Sequence, residues 1–282
     1  MNPKEYTITI ANEAGLKEPS IGELTDWIVE HKGKQGIEEI LSAIKDDKIA
    51  RMTPIGKKQD KFIVDKLEYS NFFNGVAIKY SNKGWYDESI AIFEALLERT
   101  PNDTGISINY GASLAQKIES DYHNTQQMDF TKLKKARELI FKAYNIDKEI
   151  SDVWRDLPAY KNLCYLRALE AIRYYNLKEA VTAFILSWIS IEMSLYRIWY
   201  QYLVKNGESN TSINKKYIRW DPEFIIQTLY LSNFMPFKEL KNDLDTMRGI
   251  RNQLFHGEID NPTIGQAKRC LETALKMVAV VV

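Results

Sequence analysis

The stretch LKEAVTAFILSWISIEMSLYRIWYQYL, Leu177 to Leu203, decides the fold. Val181, Phe184, Ile185, Trp188, Ile189, Ile191, Leu195, Ile198, Trp199 and Tyr202 leave almost no polar face when wound at the helical period. A helix apolar nearly all round is buried on more than one side. The pattern therefore predicts the central rod of a helical bundle, one that a second protomer can share. Its most apolar part, Ala180 to Ile191, is too short to span a bilayer.

Elements on either side of the rod read the same way. Leu163 to Tyr174 forms a preceding helix. After a polar loop, Asn206 to Trp220, Asp221 and Pro222 supply the N-cap and first position of another helix, ending near Asn233. Pro236 opens a further one carrying Leu240, Leu244, Met247 and Ile250, and Thr263 with Gln266 caps a last one through Leu271, Leu275 and Val278. Residues 158–282 are thus expected to be an up-and-down bundle of about five helices.

Upstream, residues 66–157 read as paired helices. Phe73, Val76, Ala77 and Tyr80 share one face, Gly84 marks a turn, and Tyr86, Ser89, Phe93 and Leu96 form the next face, which Pro101 ends. These are the positions where the 34-residue tetratricopeptide repeat places its aromatic, small and proline residues, and NKGWYDESIAIFEALLERTP resembles such a repeat. Ala77 stands for the usual glycine and Ser89 for the usual alanine; both are small enough for close packing. A looser second copy uses Tyr110, Gly111 and Leu114, then Ala136, Ile140 and Ala143, with a polar insertion from Glu119 to Phe130 expected on a surface loop. A generic array of helical hairpins fits the same pattern.

Residues 1–65 form a small, mostly helical unit with no assigned chemistry. Thr7 to Ile10 suits a short strand. Ser20 and Glu23 form a capping box ahead of Leu24, Trp27 and Ile28. A second helix carries Ile37, Ile40, Leu41 and Ile44, and a third carries Phe62, Ile63 and Leu67. The expected fold class is all-α: tetratricopeptide-like hairpins packed against a C-terminal helical bundle.

Composition narrows the function. Lys plus Arg equals Asp plus Glu at 38 each, which argues against a dedicated duplex-DNA binder. Apolar residues at 45% supply a core, and six Trp, 16 Tyr and 11 Phe exclude a disordered chain. Cys164 and Cys270 belong to no Cys-x-x-Cys pair, so zinc-ribbon and thioredoxin readings fail and two buried, reduced thiols of a cytoplasmic protein are expected. The start, MNPKEYTITIANEAG, lacks the basic-then-apolar pattern of a secretory signal, and no membrane association is expected. His31 and His123 have no partners at ligand spacing, and no glycine-rich phosphate loop, Gly-x-Ser-x-Gly or His-Glu-x-x-His occurs.

The third histidine stands in Arg251-Asn252-Gln253-Leu254-Phe255-His256, at a helix end closed by Gly257. Arginine offers a planar fork of donors to phosphate oxygens, and histidine moves protons near neutral pH. RNA brings its own nucleophile, the 2′-hydroxyl. Together these suffice for strand cleavage without a metal. Asn252 lies four residues before His256, on the same helical face, where it can orient the imidazole or bind phosphate. Arg251 and His256 lie about 140° apart around an ideal helix.

In this motif and its setting the C-terminal bundle resembles the HEPN superfamily (higher eukaryotes and prokaryotes nucleotide-binding), whose motif is an arginine, a short spacer and a histidine. Arg251, Asn252 and His256 match it, and so do the Ser187–Glu192 stretch of the long helix, the His256-Gly257 ending and the final capped helix. The resemblance implies a metal-independent endoribonuclease without cofactor, acting on single-stranded RNA as a homodimer, with the helical repeats holding it inhibited or docking a protein partner. Members are frequently toxins or effectors of antiviral defence. Arg251, Asn252 and His256 would be catalytic, and Glu192 would support the arginine. Bland roles stay open beside these: His256 as a cation at a helix C-terminus, Arg251 in a buried ion pair, Asn252 as a buried polar contact. The loop residues Lys215, Lys216, Tyr217, Arg219 and Trp220 suit either an RNA track of charge and stacking or a loop anchored by its aromatics. The competing reading of the chain is a non-catalytic RNA- or nucleotide-binding scaffold that dimerises through the bundle.

Overall fold

The computed structural model describes residues 3–15, 20–46, 60–125, 127–150, 158–209, 212–213, 221–234 and 237–281, and among these every regular element is helical. The chain forms two compact units, Met1–Leu139 and Ile140–Val282.

The first unit opens with α1 (Pro3–Glu13). This replaces the short strand expected at Thr7 to Ile10. Tyr6 and Ile10 are buried while Ile8 is 51% exposed. Burial thus recurs at the four-residue spacing of a helix face, and the alternation of Ile8 with Ile10 misled the two-residue reading. Next come α2 (Ile21–Trp27), continued by a π turn over Ile28–Lys32 and a 3₁₀ turn over Gly33–Gly36, and α3 (Ile37–Lys45). Ser20 caps α2 with the reciprocal bonds of the expected capping box. The remaining helices are α4 (Asp60–Asn82), α5 (Tyr86–Arg99), α6 (Thr104–Thr125) and α7 (Phe130–Ile150). α4 runs unbroken through residue 65, and the limit of the unit falls within α7.

α4 packs against α2, α5 and α6, and α5 packs against α3 as well as α6. Of the residues that predicted the first hairpin, Phe73, Val76, Ala77, Tyr80, Ser89, Phe93 and Leu96 are buried in its core and Tyr86 is half-buried. Gly84 turns between α4 and α5 at φ +76°, a left-handed conformation that favours glycine. Small residues bring α4, α5 and α6 together. Ser89 Oγ donates to the Ala77 carbonyl at 2.8 Å, and Ser113 Oγ donates to Ser81 Oγ at 2.9 Å. Ser81 Oγ in turn donates to Gln116 Oε1 at 2.7 Å. A buried hydroxyl must find a partner, and this chain of hydroxyls satisfies three of them at once.

The polar segment from Glu119 is not a loop as far as Thr125. It forms the last turns of α6, and the connection to α7 is short. Same-face pairs support the helix there: Lys117 with Asp121 at 3.5 Å, and His123 with Glu119 at 4.0 Å. Polarity marked a solvated helix end, which composition alone does not distinguish from a loop.

The second unit holds α8 (Pro158–Asn176), α9 (Ala180–Lys205), α10 (Pro222–Leu231), α11 (Phe237–Phe255) and α12 (Ile264–Val281). α9 packs along α8 and α12 and also touches α10 and α11, as a central rod must. Phe184, Trp188, Ile191, Leu195 and Ile198 are buried. Three serines share that burial, Ser187, Ser190 and Ser194. Ser190 Oγ donates to the Cys164 carbonyl on α8 at 2.8 Å, while Ser187 Oγ turns back to Ala183 at 2.7 Å. Both cysteines are free and buried beside this rod, and burial pushes the Cys164 thiol up to about 12 and the Cys270 thiol up as well. Such thiols are poor nucleophiles.

α9 runs 26 residues, well beyond the apolar stretch from Ala180 to Ile191, and by length and composition it is long and apolar enough to cross a membrane; 56% of its most apolar window is buried inside the protein.

Candidate functional site

α11 positions the motif. Leu244, Met247 and Ile250 bury one face of it in the unit's core. Its flanks are tied by charge: Arg248 Nη1 lies 2.7 Å from Glu223 on α10, and Arg269 of α12 reaches Asp243 at 2.6 Å. Arg251 follows Ile250 and is half-buried at the edge of the buried stripe.

The last turn of α11 ends in a defined way. Glu258 N–H donates to the Gln253 carbonyl at 2.8 Å and Gly257 N–H to the Leu254 carbonyl at 3.3 Å. Gly257 sits at φ +70°. These are the two bonds of a Schellman ending with a left-handed glycine. They leave His256 as the C-cap residue, its N–H bonded to the Asn252 carbonyl at 2.9 Å and its side chain exposed.

Arg251 and Asn252 meet: Arg251 Nη1 donates to Asn252 Oδ1 at 3.0 Å. The Arg251 guanidinium also stacks over the Phe255 ring, 4.7 Å from its centroid. Nε of Arg251 is buried without a hydrogen-bond partner. His256 is not drawn into this cluster, and among the described residues no hydrogen bond joins its ring to Arg251 or Asn252. On an ideal helix positions 251 and 256 lie about 140° apart.

Glu192, half-buried on α9, faces Arg251 electrostatically, though no ion pair within 4.0 Å joins them among the described residues. Burial pushes the Glu192 carboxyl above the usual carboxylate range, and the Arg251 charge offsets only part of that. The folded protein therefore holds this proton more tightly than the unfolded chain. The unfolded state binds fewer protons in the window above the ordinary carboxylate value, so stability contributed here falls as pH rises through it. Urea titrations from about pH 4 to 7 are expected to show Glu192→Gln gaining stability relative to wild type as pH increases. Parallel curves for the two proteins would show that Glu192 does not titrate in that range.

His31 and His123 are both exposed. His31 stacks on Trp27 with centroids 4.7 Å apart, and its Nδ1 lies 3.0 Å from the Trp27 carbonyl oxygen. Among the described residues no cluster of three or more His, Cys, Asp or Glu side chains could hold a metal ion. Lys215, Lys216, Tyr217, Arg219 and Trp220, along with Pro236, lie outside the described residues. Phe255 is the contributor that the sequence reading passed over, although its signal was present: an aromatic four residues after Arg251, on the same helical face.

Comparison with protein-family models, with curated proteins and with solved structures finds no match to this chain.

Proposed function

We propose that this protein is a metal-independent endoribonuclease of the HEPN type, acting on single-stranded RNA through Arg251, Asn252 and His256. The observation that carries the reading is the end of α11, where a guanidinium braced by Asn252 and Phe255 stands five residues from a solvent-facing histidine. In the proposed reaction the 2′-oxygen forms a bond to phosphorus and the bond from phosphorus to the 5′-oxygen breaks. A proton leaves the 2′-hydroxyl and another reaches the 5′-oxygen, giving a 2′,3′-cyclic phosphate and a 5′-hydroxyl. His256 carries a proton in one of these transfers, and Arg251 meets the charge developing on the non-bridging oxygens. A symmetric homodimer would place a second His256 beside the first guanidinium, which suits two residues separated around their own helix. The helical hairpins of the first unit would then restrain the enzyme or dock a protein that releases it, as befits a toxin or defence effector in the cytoplasm.

The test is incubation of labelled single-stranded RNA with purified protein in EDTA, alongside Arg251→Ala. Cyclic-phosphate products that vanish in the variant, and that fail to form when the scissile nucleotide lacks its 2′-hydroxyl, support the reading. A cut that persists in the variant is a contaminant's and removes it. The second reading, a non-catalytic RNA- or nucleotide-binding scaffold that dimerises, is favoured by the balanced charge of 38 against 38. It predicts RNA retained uncut, and equally so under every activating condition tried.

A further inference from the structure

We infer that the exposed ring of Phe255 is a stacking platform for one unpaired nucleobase, resting on the nuclease reading above for the class of ligand. Phe255 is 63% exposed, the last residue of a helix whose other large apolar residues are mostly packed. The Arg251 guanidinium lies over its ring at 4.7 Å from the centroid. That guanidinium is itself bonded to Asn252 Oδ1 at 3.0 Å, which steadies the charge against one face of the ring. A rigid flat ring backed by a positive charge is what base stacking uses, and it tolerates any base because every base has a π-face.

The chain around the ring argues against a protein partner. Gln253, His256, Gly257 and Glu258 are all exposed, and all are polar or lack a side chain. Leu254 and Ile259 beside it are half-buried, so Phe255 is the one exposed large apolar side chain of residues 253–259, less than the contiguous apolar area that a protein interface requires. A single base is the ligand that matches one ring. Purines, with the larger face, should bind more tightly than pyrimidines.

The test measures binding apart from cleavage. Full-length protein is titrated against fluorescein-labelled 2′-O-methyl oligonucleotides, which lack the nucleophile, and anisotropy is read. An all-adenine strand is compared with an otherwise identical abasic strand, for wild type, Phe255→Ala, Phe255→Leu and Phe255→Trp. The expected result is that alanine and leucine each weaken the adenine strand by about 5- to 100-fold, leave the abasic strand unchanged, and that tryptophan restores affinity. The platform is overturned if wild type binds the two strands alike, or if alanine weakens both together. A shift of Phe255→Ala from dimer to monomer with joint weakening assigns the ring to contact between copies instead. RNA cutting that survives with adenine affinity unaffected by Phe255→Ala removes the platform and keeps the nuclease. Base-dependent loss of binding in a protein that never cuts keeps the platform and removes the nuclease.

Discussion

On the proposed ribonuclease reading, His256→Ala is expected to slow RNA cleavage by about 10²–10⁴-fold while the fold stands. The factor is that of a positioned proton carrier removed from a transition state. The fold should survive because the ring contributes little to it. His256 is exposed, its ring has no hydrogen bond among the described residues, and the bond it does make, from its backbone N–H to the Asn252 carbonyl, does not depend on the side chain. Thermal unfolding should therefore shift by no more than about 0.5 kcal/mol. Cleavage rates are read from single-turnover product formation, and circular dichroism melting is read on the same preparation. Rates within roughly twofold of wild type would take His256 out of the chemistry. A large loss of stability would show that the residue holds the helix end together.

The largest structural effect is expected at Phe184. Its side chain is fully buried on the rod, and its carbonyl faces Cys270 of α12 across the packed interface. Phe184→Ala removes most of an aromatic ring from a site bounded by helices on several sides, which cannot all collapse inward. The expected cost is about 3–5 kcal/mol, against a total of about 5–15 kcal/mol for an ordinary domain. Equilibrium urea unfolding should show a lower midpoint with an unchanged slope. Phe184→Leu, which keeps most of the volume, should cost less than about 1.5 kcal/mol and remains measurable if the alanine variant does not accumulate. A loss below about 1 kcal/mol for alanine would contradict the placement of this ring in the core.

Much of the architecture was legible because the signals were long and redundant. The rod announced itself by having no polar face, and the hairpin of Phe73 to Leu96 by two apolar faces separated by a turn glycine. The capping boxes at Ser20 and Thr263 were readable because a cap is a local bond between residues three apart, and both formed. Errors came where a short window carried two meanings. Thr7 to Ile10 alternates well enough for a strand, and only the burial of Tyr6 and Ile10 together decides for helix. Glu119 to Thr125 is polar enough for a loop, but solvated helix ends are polar too. The serines of α9 entered only as part of the Ser187–Glu192 stretch and not as a packing seam, because a helix seam of small hydroxyls looks, in sequence, like interruptions of an apolar run.

The candidate site was legible as a set of residue types and not as a geometry. Arginine, asparagine and histidine in six residues name a chemistry. They do not say that Arg251 binds its own neighbour Asn252 and leans on Phe255, nor that, among the described residues, no hydrogen bond ties the His256 ring to them. That arrangement depends on where the helix stops, which one residue decides.

The stop is Gly257. A methyl group at its Cα would meet nothing within 4 Å, so space is not the constraint; the φ of +70° is. The helix is thus stopped just after His256 by the handedness of a residue that has no side chain of its own. A chain with the same arginine and histidine but a bulky residue in that place would spell an identical motif and be strained at the same helix end. Reading such motifs one letter too short therefore leaves out the letter that closes the helix.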